Sequence, residues 1–412
     1  MSRKRNVDKH AENKRLKVAY FLSIFPKLSE SFILNEIVEL IKVHDVQIFS
    51  WLHSSETVTH DEIKEYQLLN RTHYFAVKRI CEKNPFRFLK YFIKAVMHSL
   101  TVKRISTKEL KRDLKLAYFA TIMEKEKVEL IHAHFTDMGH IARRLGKMLG
   151  LPYTLTAHAF DIYMDPDPEE LRTVMDEAGL VITISEYNTD YLKGEIGVKN
   201  RIEVIRCGID IDKFKPEKKI KADGIIQLLT VARLVEKKGI AYLIKAIPRV
   251  IKEVPNCELT IIGSGPRYDD LQHLMHDLEI EGYVQFKGDV SDSALMQYYN
   301  GADMFILPCI VAENGDRDGI PVGMMEAMTM ELPVISTTVS GIPELVEAGA
   351  SGILLPPRDE KAIADAIIAL CKDSESRVAM GKEGRKKIER GFNVRTEVGK
   401  LIGVFETVAK RG

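Results

Sequence analysis

The sequence predicts an α/β protein of two doubly wound, Rossmann-like domains facing each other across a cleft, and three observations predict it. At 412 residues the chain is too long for one ordinary core. Short β-branched runs alternate with amphipathic stretches along it, the rhythm of βα units stacked into a parallel sheet. That rhythm breaks once, at KFKPEKKIKADG (213–224), and then starts again.

The charged segment 1–15 reads as an N-terminal arm. The apolar stretch behind it, 16–25, is interrupted by Lys17 and is followed by no small-x-small cleavage site, so a buried strand is expected there and not a signal peptide. The first domain then covers 16–215. Its strands are expected at VAYFLS (18–23), DVQIFSW (45–51), VELIHAHF (128–135), PYTLTAHA (152–159), LVITIS (180–185) and IEVIRCG (202–208). A helical insertion lengthens it over about 56–125. Within that insertion, Phe86, Leu89, Ile93, Val96, Met97 and Leu100 share one helical face, with Arg87, Lys90 and Lys94 along its edge. Such a stripe packs on its own domain, the commoner fate, or rests on an anionic bilayer surface.

The second domain covers 216–390, with strands expected at IIQLLTVAR (225–233), CELTIIGSG (257–265), YVQFKG (283–288), DMFILPC (303–309), PVIST (333–337) and GILLPP (352–357). A last helix over 391–412 carries Val394, Val398, Leu401, Ile402 and Phe405 at helical spacing, and could pack back on the first domain.

Composition excludes several classes. Lys and Arg number 60 against 59 Asp and Glu, so no charge excess holds the chain on nucleic acid. The five cysteines follow no ligand spacing, which points to a reducing compartment without structural zinc. No run approaches the roughly 18 apolar residues of a membrane span. A cytoplasmic protein, at most peripheral on the inner face of a membrane, is expected.

Ligands of such sheets bind beyond the carboxyl ends of the strands, so the chemistry belongs in the cleft. In ENGDRDGIPVGMMEAMTMELPVIST (313–337), Asp318 lies in a turn before a helix opened by Pro321, and Glu326 lies more than one turn inside it. Carboxylates there suit ribose diols and sugar hydroxyls, with Gly319, Ile320 and Pro321 presenting backbone between them. In LLTVARLVEKKGIAYLIKAI (228–247), Arg233 and Lys238 stand between a strand end and a helix N-terminus, which together make a diphosphate site. Fixed cations there stabilise the charge that grows on a departing phosphate. No metal or other cofactor is then required. The D-x-D matches at 316–318 and 165–167 are chance-level patterns in a chain with 29% charged residues.

VARLVEKKG, DGIPVGMMEAMTMELPVIST and SGIPELVEAGASGILLPP (340–357) together resemble the signature of glycosyltransferase family 4. The resemblance implies the GT-B fold and a retaining glycosyltransferase. It implies that Arg233 and Lys238 hold the diphosphate of a nucleotide diphosphate sugar and that Glu326 holds the ribose. Asp318 stands where the family usually has the first glutamate of its E-x7-E motif, a shorter reach with the same charge. His158, in TAHAFDIY (156–163), matches a histidine near the transferred sugar, and HAHFTDMGH (132–140) brings His134 to a neighbouring strand end. Gly265 marks a turn at a strand end, and the Phe286-Lys287-Gly288 end is placed to receive the nucleobase. On the acceptor side the resemblance suggests Glu30, Ser31 and Ser185, with Ser29 or Ser31 expected as a helix N-cap. The ENGDRDGIP wording is similar to enzymes of exopolysaccharide assembly of the colanic acid type, so the acceptor is expected to be a glycan or lipid-linked glycan. Rival readings are a sugar-nucleotide epimerase or phosphorylase, and a non-catalytic binding module. A dinucleotide oxidoreductase fits least, since no G-x-G-x-x-G turn follows the first strand.

Overall fold

A computed structural model describes residues 15–56, 59–76, 85–101, 106–217 and 224–411. Nearly all of the N-terminal arm, Cys81 and the 218–223 part of the linker lie outside them. The first sheet holds β1 (Lys17–Phe25), β2 (Asp45–His53), β3 (Thr72–Tyr74), β4 (Leu130–His134), β5 (Tyr153–Ala157), β6 (Leu180–Thr183) and β7 (Ile202–Val204). All are parallel, in the order β3-β2-β1-β4-β5-β6-β7. The second sheet, also parallel, holds β8 (Ile226–Val231), β9 (Cys257–Ile262), β10 (Val284–Phe286), β11 (Met304–Ile306), β12 (Val334–Thr337) and β13 (Gly352–Leu355), in the order β10-β9-β8-β11-β12-β13. β3 falls inside the insertion expected to be helical. It is a three-residue edge strand with every side chain half-buried, too short to show a period in the sequence.

Both faces of the first sheet are covered, and period-two alternation sorts the side chains between them. Ala19 and Phe21 of β1 join Phe119, Leu155 and Val181 under the helices of the insertion. Val18, Tyr20 and Leu22 face the other way, onto Ile37, Val398, Leu401 and Phe405. The Val394–Ala409 helix is thus part of the first domain's core, although Phe392 just before it packs in the second. The chain recrosses beside its first crossing, where Ile209 donates its N–H to Phe392 O at 2.8 Å and Val394 to Ile209 O at 3.1 Å.

The Pro85–Thr101 helix turns the expected stripe outward. Tyr91, Ala95 and Ser99 are buried beneath it, with Phe88 and Phe92 partly so. Phe86, Leu89, Ile93, Met97 and Leu100 stay between 45% and 84% exposed. The helix is apolar on two faces, so periodicity alone could not say which one the domain takes. Among the described residues no helix is long and apolar enough to cross a membrane.

Candidate active site

In each sheet the strand order reverses at one point, between β1 and β4 and between β8 and β11. Loops leaving the carboxyl ends of such strands diverge and open a crevice. Lys238, in the turn after β8, and Asp318, in the loop after β11, stand at the second of these points.

On the second domain, β8 runs out through Ala232 to Arg233, and a short turn, Glu236–Lys238, leads into the Ile240–Glu253 helix. Gly239 between them has φ +67°, and a Cβ there would lie 1.9 Å from Pro308 O, so only glycine lets this turn rest on the end of β11. That contact brings Lys237 and Lys238 to the loop after β11. Lys238 Nζ lies 2.8 Å from Asp318 Oδ2 and Lys237 Nζ 3.7 Å from Asp318 Oδ1. Lys237 also pairs with Asp316 at 2.9 Å, and Cys309 Sγ donates to Asp318 at 3.4 Å. Burial pushes the Asp318 carboxyl up, but Lys238 and then Lys237 outweigh it and hold it below its ordinary value. Burial, and then Asp318, push the Cys309 thiol well up. Arg233 is exposed, and its guanidinium has no partner among the described residues.

Pro321 is the N-cap of the Val322–Thr329 helix, and Glu326 is buried inside it. Its Oε2 accepts from the Tyr299 hydroxyl at 2.7 Å. Burial pushes the Glu326 carboxyl up to about 7 against the pull of that bond. Glu326 also borders a cavity of about 30 Å³ between the domains, lined by Ser31, Asn35, His60, Lys213 and Asp292.

On the first domain, His158 follows β5 and is held by its backbone. Its N–H donates to Asp161 Oδ1 at 3.0 Å, and its carbonyl accepts from Asn188. Burial raises the Asp161 carboxyl to about 7, against three backbone N–H groups. The imidazole touches His134, with His158 Nε2 3.0 Å from His134 Nδ1. Burial, and then His134, lower the His158 pKa well below its ordinary value, so the ring is neutral.

The two domains meet at the Asp318–Pro321 turn. A Cβ on Gly319 would lie 2.6 Å from Ile184 Cδ1 and 3.6 Å from Ala159 Cβ, so the missing side chain lets the Asp318–Pro321 turn sit against the strand end that carries His158. Arg317 stacks on Tyr163 at 4.6 Å, and Glu344 accepts from the backbone N–H groups of Glu186 and Tyr187. Farther along, His60 Nδ1 lies 3.0 Å from Asp292, and Lys213 bridges Asp292 at 2.8 Å and Glu62 at 2.6 Å.

Of the residues predicted from the sequence, Lys238 and Asp318 meet in an ion pair and Gly319 abuts Ile184 and Ala159, the neighbour of His158, while Arg233 follows β8 and Glu326 lies inside the Val322–Thr329 helix. Gly265 lies against the backbone of Leu234, beside Arg233. Lys287 is exposed at the end of β10, where its N–H donates to Ile261 O at 3.0 Å. His134 is buried behind His158 and does not face the cleft directly. Two expectations need correction. The Ser31–Leu40 helix has Glu30 as its N-cap residue, with no side-chain bond, so neither Ser29 nor Ser31 caps it. Ser31 instead borders the interdomain cavity with Glu326, and Glu30 pairs with Lys27 at 2.6 Å. Ser185 is fully buried, and its hydroxyl caps the Glu186–Tyr191 helix through Asn188 N at 3.1 Å, so it is not available to an acceptor.

Lys237, Tyr299, Arg317 and Glu36 were not foreseen. Lys237 could have been, as the neighbour of Lys238, but a lysine buried by ion pairs looks the same in sequence as a solvated one. Among the described residues two groups bring potential metal-ligating atoms within 4.8 Å of one another: Glu36 with His132 and His134, and His60 with Glu62 and Asp292. The first lies in a hydrogen-bonded network, and the second surrounds the Lys213 ammonium.

Residues 211–387 match the family model described as glycosyl transferases group 1, and residues 44–213 that described as Glycosyltransferase Family 4. The chain is 30% identical, over 92% of its length and 96% of the relative's, to WcaL of Escherichia coli strain K12, which carries the name of a colanic acid biosynthesis glycosyltransferase. It is 29% identical to the amylovoran biosynthesis glycosyltransferase AmsK of Erwinia amylovora, covering 96% of this chain and all of the relative. Among solved structures, sucrose-phosphate synthase of Thermosynechococcus elongatus superposes with a TM-score of 0.73 at 18% identity, covering 97% of this chain and 100% of the other. Anabaena HepE in complex with UDP gives 0.72 at 17% identity, covering 95% of this chain and 100% of the other. Both share the fold of two facing parallel sheets.

Proposed function

This chain belongs to glycosyltransferase family 4 and has the GT-B fold, and from that premise we propose the reaction and the parts its residues play in it. The chain transfers a hexose-type sugar, with retention, from a nucleotide diphosphate sugar to a hydroxyl of a glycan or lipid-linked glycan in polysaccharide assembly. One observation carries the reading: Lys238, from the turn after β8, and Asp318, from the loop after β11, meet with Lys238 Nζ 2.8 Å from Asp318 Oδ2.

The exposed Arg233 guanidinium and Lys238 bind the diphosphate. Lys238 exchanges its bond to Asp318 for one to the leaving phosphate, and Asp318 turns to a sugar hydroxyl. Glu326 takes the ribose diol, backbone at Gly319, Ile320 and Pro321 lines the sugar, Gly265 lets its loop close over Arg233, and the strand end at Lys287 receives the base. His158 contacts a hydroxyl of the transferred sugar, and Glu30 and Ser31 lie on the acceptor side. The C1–phosphate bond breaks as the acceptor oxygen bonds to C1 from the same face, and the acceptor proton passes to the departing phosphate oxygen. Charge growing there meets fixed cations, so no metal is needed. HepE has been solved with UDP and with UDP-glucose, in keeping with a nucleotide sugar as donor here.

Contact with the inner face of a membrane belongs to the same reading. The outward stripe of the Pro85–Thr101 helix supports it, with Arg87, Lys90 and Lys94 beside the stripe and no acid anywhere on the helix.

Thermal-shift screening against nucleotide sugars, followed by product analysis with a glycan acceptor, tests the reading. One donor should stabilise the protein strongly, about 2.7 kcal/mol at 100 times its dissociation constant, and the product should keep the donor's anomeric configuration. Inversion, or turnover of donor to an epimer or a sugar phosphate, would refute it.

A further inference from the structure

Behind His158 lies a buried polar network that the transfer reaction does not itself require. Tyr20 of β1, Glu36 of the Ser31–Leu40 helix, His132 and His134 of β4, and Thr154 and Thr156 of β5 meet at the switch point of the first sheet. His132, His134 and Tyr20 are essentially inaccessible to water. A neutral imidazole has one donating and one accepting nitrogen, and a carboxylate only accepts. In a dry site each hydrogen bond must therefore match a donor to an acceptor.

The geometry points to a relay, Glu36–His134–His158, that fixes His158 as the tautomer protonated on Nε2 and bare on Nδ1, so that it presents the cleft with a hydrogen-bond acceptor for a hydroxyl of the transferred sugar. The proton count runs outward from Glu36. Its Oε1 accepts from the Tyr20 hydroxyl and from His134 Nε2–H, the latter at 3.0 Å. His134 Nδ1 is then bare and accepts from His158 Nε2–H at 3.0 Å. His132 closes the network: Nδ1–H donates to Thr154 Oγ1 at 2.8 Å, and Nε2 accepts from Thr156 at 3.3 Å and faces the His134 Nε2–H at 3.2 Å. Every ring nitrogen then meets a group of the opposite kind, apart from His158 Nδ1. That atom has no partner among the described residues, yet it is not one of the fully buried polar atoms left unsatisfied, so it keeps some contact with solvent. Reversing the relay would set a bare His134 Nε2 against the Glu36 oxygen, lone pair to lone pair. A bare Nδ1 cannot donate to a phosphate or carboxylate oxygen, so this position selects a substrate O–H.

Glu36 and His134 are positioning residues in this account, which rests on the reading of His158 as a sugar contact. The test is two-bond 1H–15N correlation on the full chain labelled at histidine, which reads the protonated nitrogen of each ring directly. His158 should show Nε2–H and a bare Nδ1, and Glu36→Ala should give a mixture of tautomers. Glu36→Ala should also lose about tenfold in kcat/KM, the worth of roughly one hydrogen bond, and Glu36→Asp should recover part of it. A donor lacking the contacted hydroxyl should be poor for the parent and no worse for the variant. Nδ1–H on His158 in the unsubstituted protein would overturn the inference whether or not any variant folds. Stoichiometric zinc on Glu36, His132 and His134 in the purified protein would overturn it too, since His134 Nε2 could then carry no proton. The stated tautomer in a protein that transfers no sugar would instead leave the relay standing and refute the reading on which its use depends.

Discussion

Replacing Glu326 by glutamine probes the donor site at its most enclosed point. The Tyr299 hydroxyl donates to Oε2 at 2.7 Å, and in the proposed reading Oε1 accepts from the ribose hydroxyls. Glutamine keeps the volume, but its single carbonyl oxygen must satisfy Tyr299, so its NH2 group turns to where hydroxyls had been donating. One charge-assisted bond is lost. Because Glu326 is only 9% exposed, water does little to replace it, and the loss is about 1.5–3 kcal/mol, or roughly 10- to 150-fold in donor affinity. Calorimetric titration with the nucleoside diphosphate measures this. The same titration with a 2′,3′-dideoxy analogue completes a double-mutant cycle in which the parent loses affinity and the variant does not. Unchanged affinity in Glu326→Gln, or an equal loss for the analogue in both proteins, would show that Glu326 does not hold the ribose.

Lys238→Ala should lower kcat by about 100- to 1,000-fold, the effect of losing one fixed group at a developing anion, and rapid-mix kinetics separates that from donor binding. Donor affinity should rise between about pH 6 and 8 as Glu326 ionises. Burial sets its carboxyl near 7, Tyr299, His60 and Lys213 pull it down, and Asp292 pushes it up. Stability of the free protein has the opposite slope. Glu326 and Asp161 keep their protons to higher pH folded than unfolded, so their contribution is present below the ordinary carboxylate range and is lost as pH rises toward 7. Tm against pH should show that fall, smaller in Glu326→Gln. The chain should sediment with phosphatidylglycerol vesicles, less so with phosphatidylcholine or at high salt. Paired Ile93→Glu and Met97→Glu changes should abolish this without slowing transfer to a soluble acceptor, and a parent protein indifferent to anionic vesicles would refute the membrane contact.

Much of this molecule can be read from its residues in order. Twelve of the thirteen strands among the described residues announce themselves as apolar β-branched runs, and the candidate site segments as Gly, Pro and charge at strand ends, because those signals depend on neighbours a few positions away. The resemblance to the family is carried by short segments of the same kind. The last helix was legible as amphipathic, but only folding shows that Phe405 packs over Tyr20 and His132 in the first domain.

What the sequence determined by itself is therefore local: two series of βα units, a break between them, and which strand ends carry cations and carboxylates. Tertiary structure decided what depends on approach between distant segments. It buried Lys237 between Asp316 and Asp318, spent the Ser185 hydroxyl on a helix cap, and turned the Phe86–Leu100 stripe to solvent. It also joined Glu36 to His134 across 98 positions of chain. A side chain's periodicity says which residues lie together on a face. Only the partner that packs against that face, or the water that covers it, settles whether a charge is paired, a hydroxyl is free or a histidine holds its proton on one nitrogen or the other.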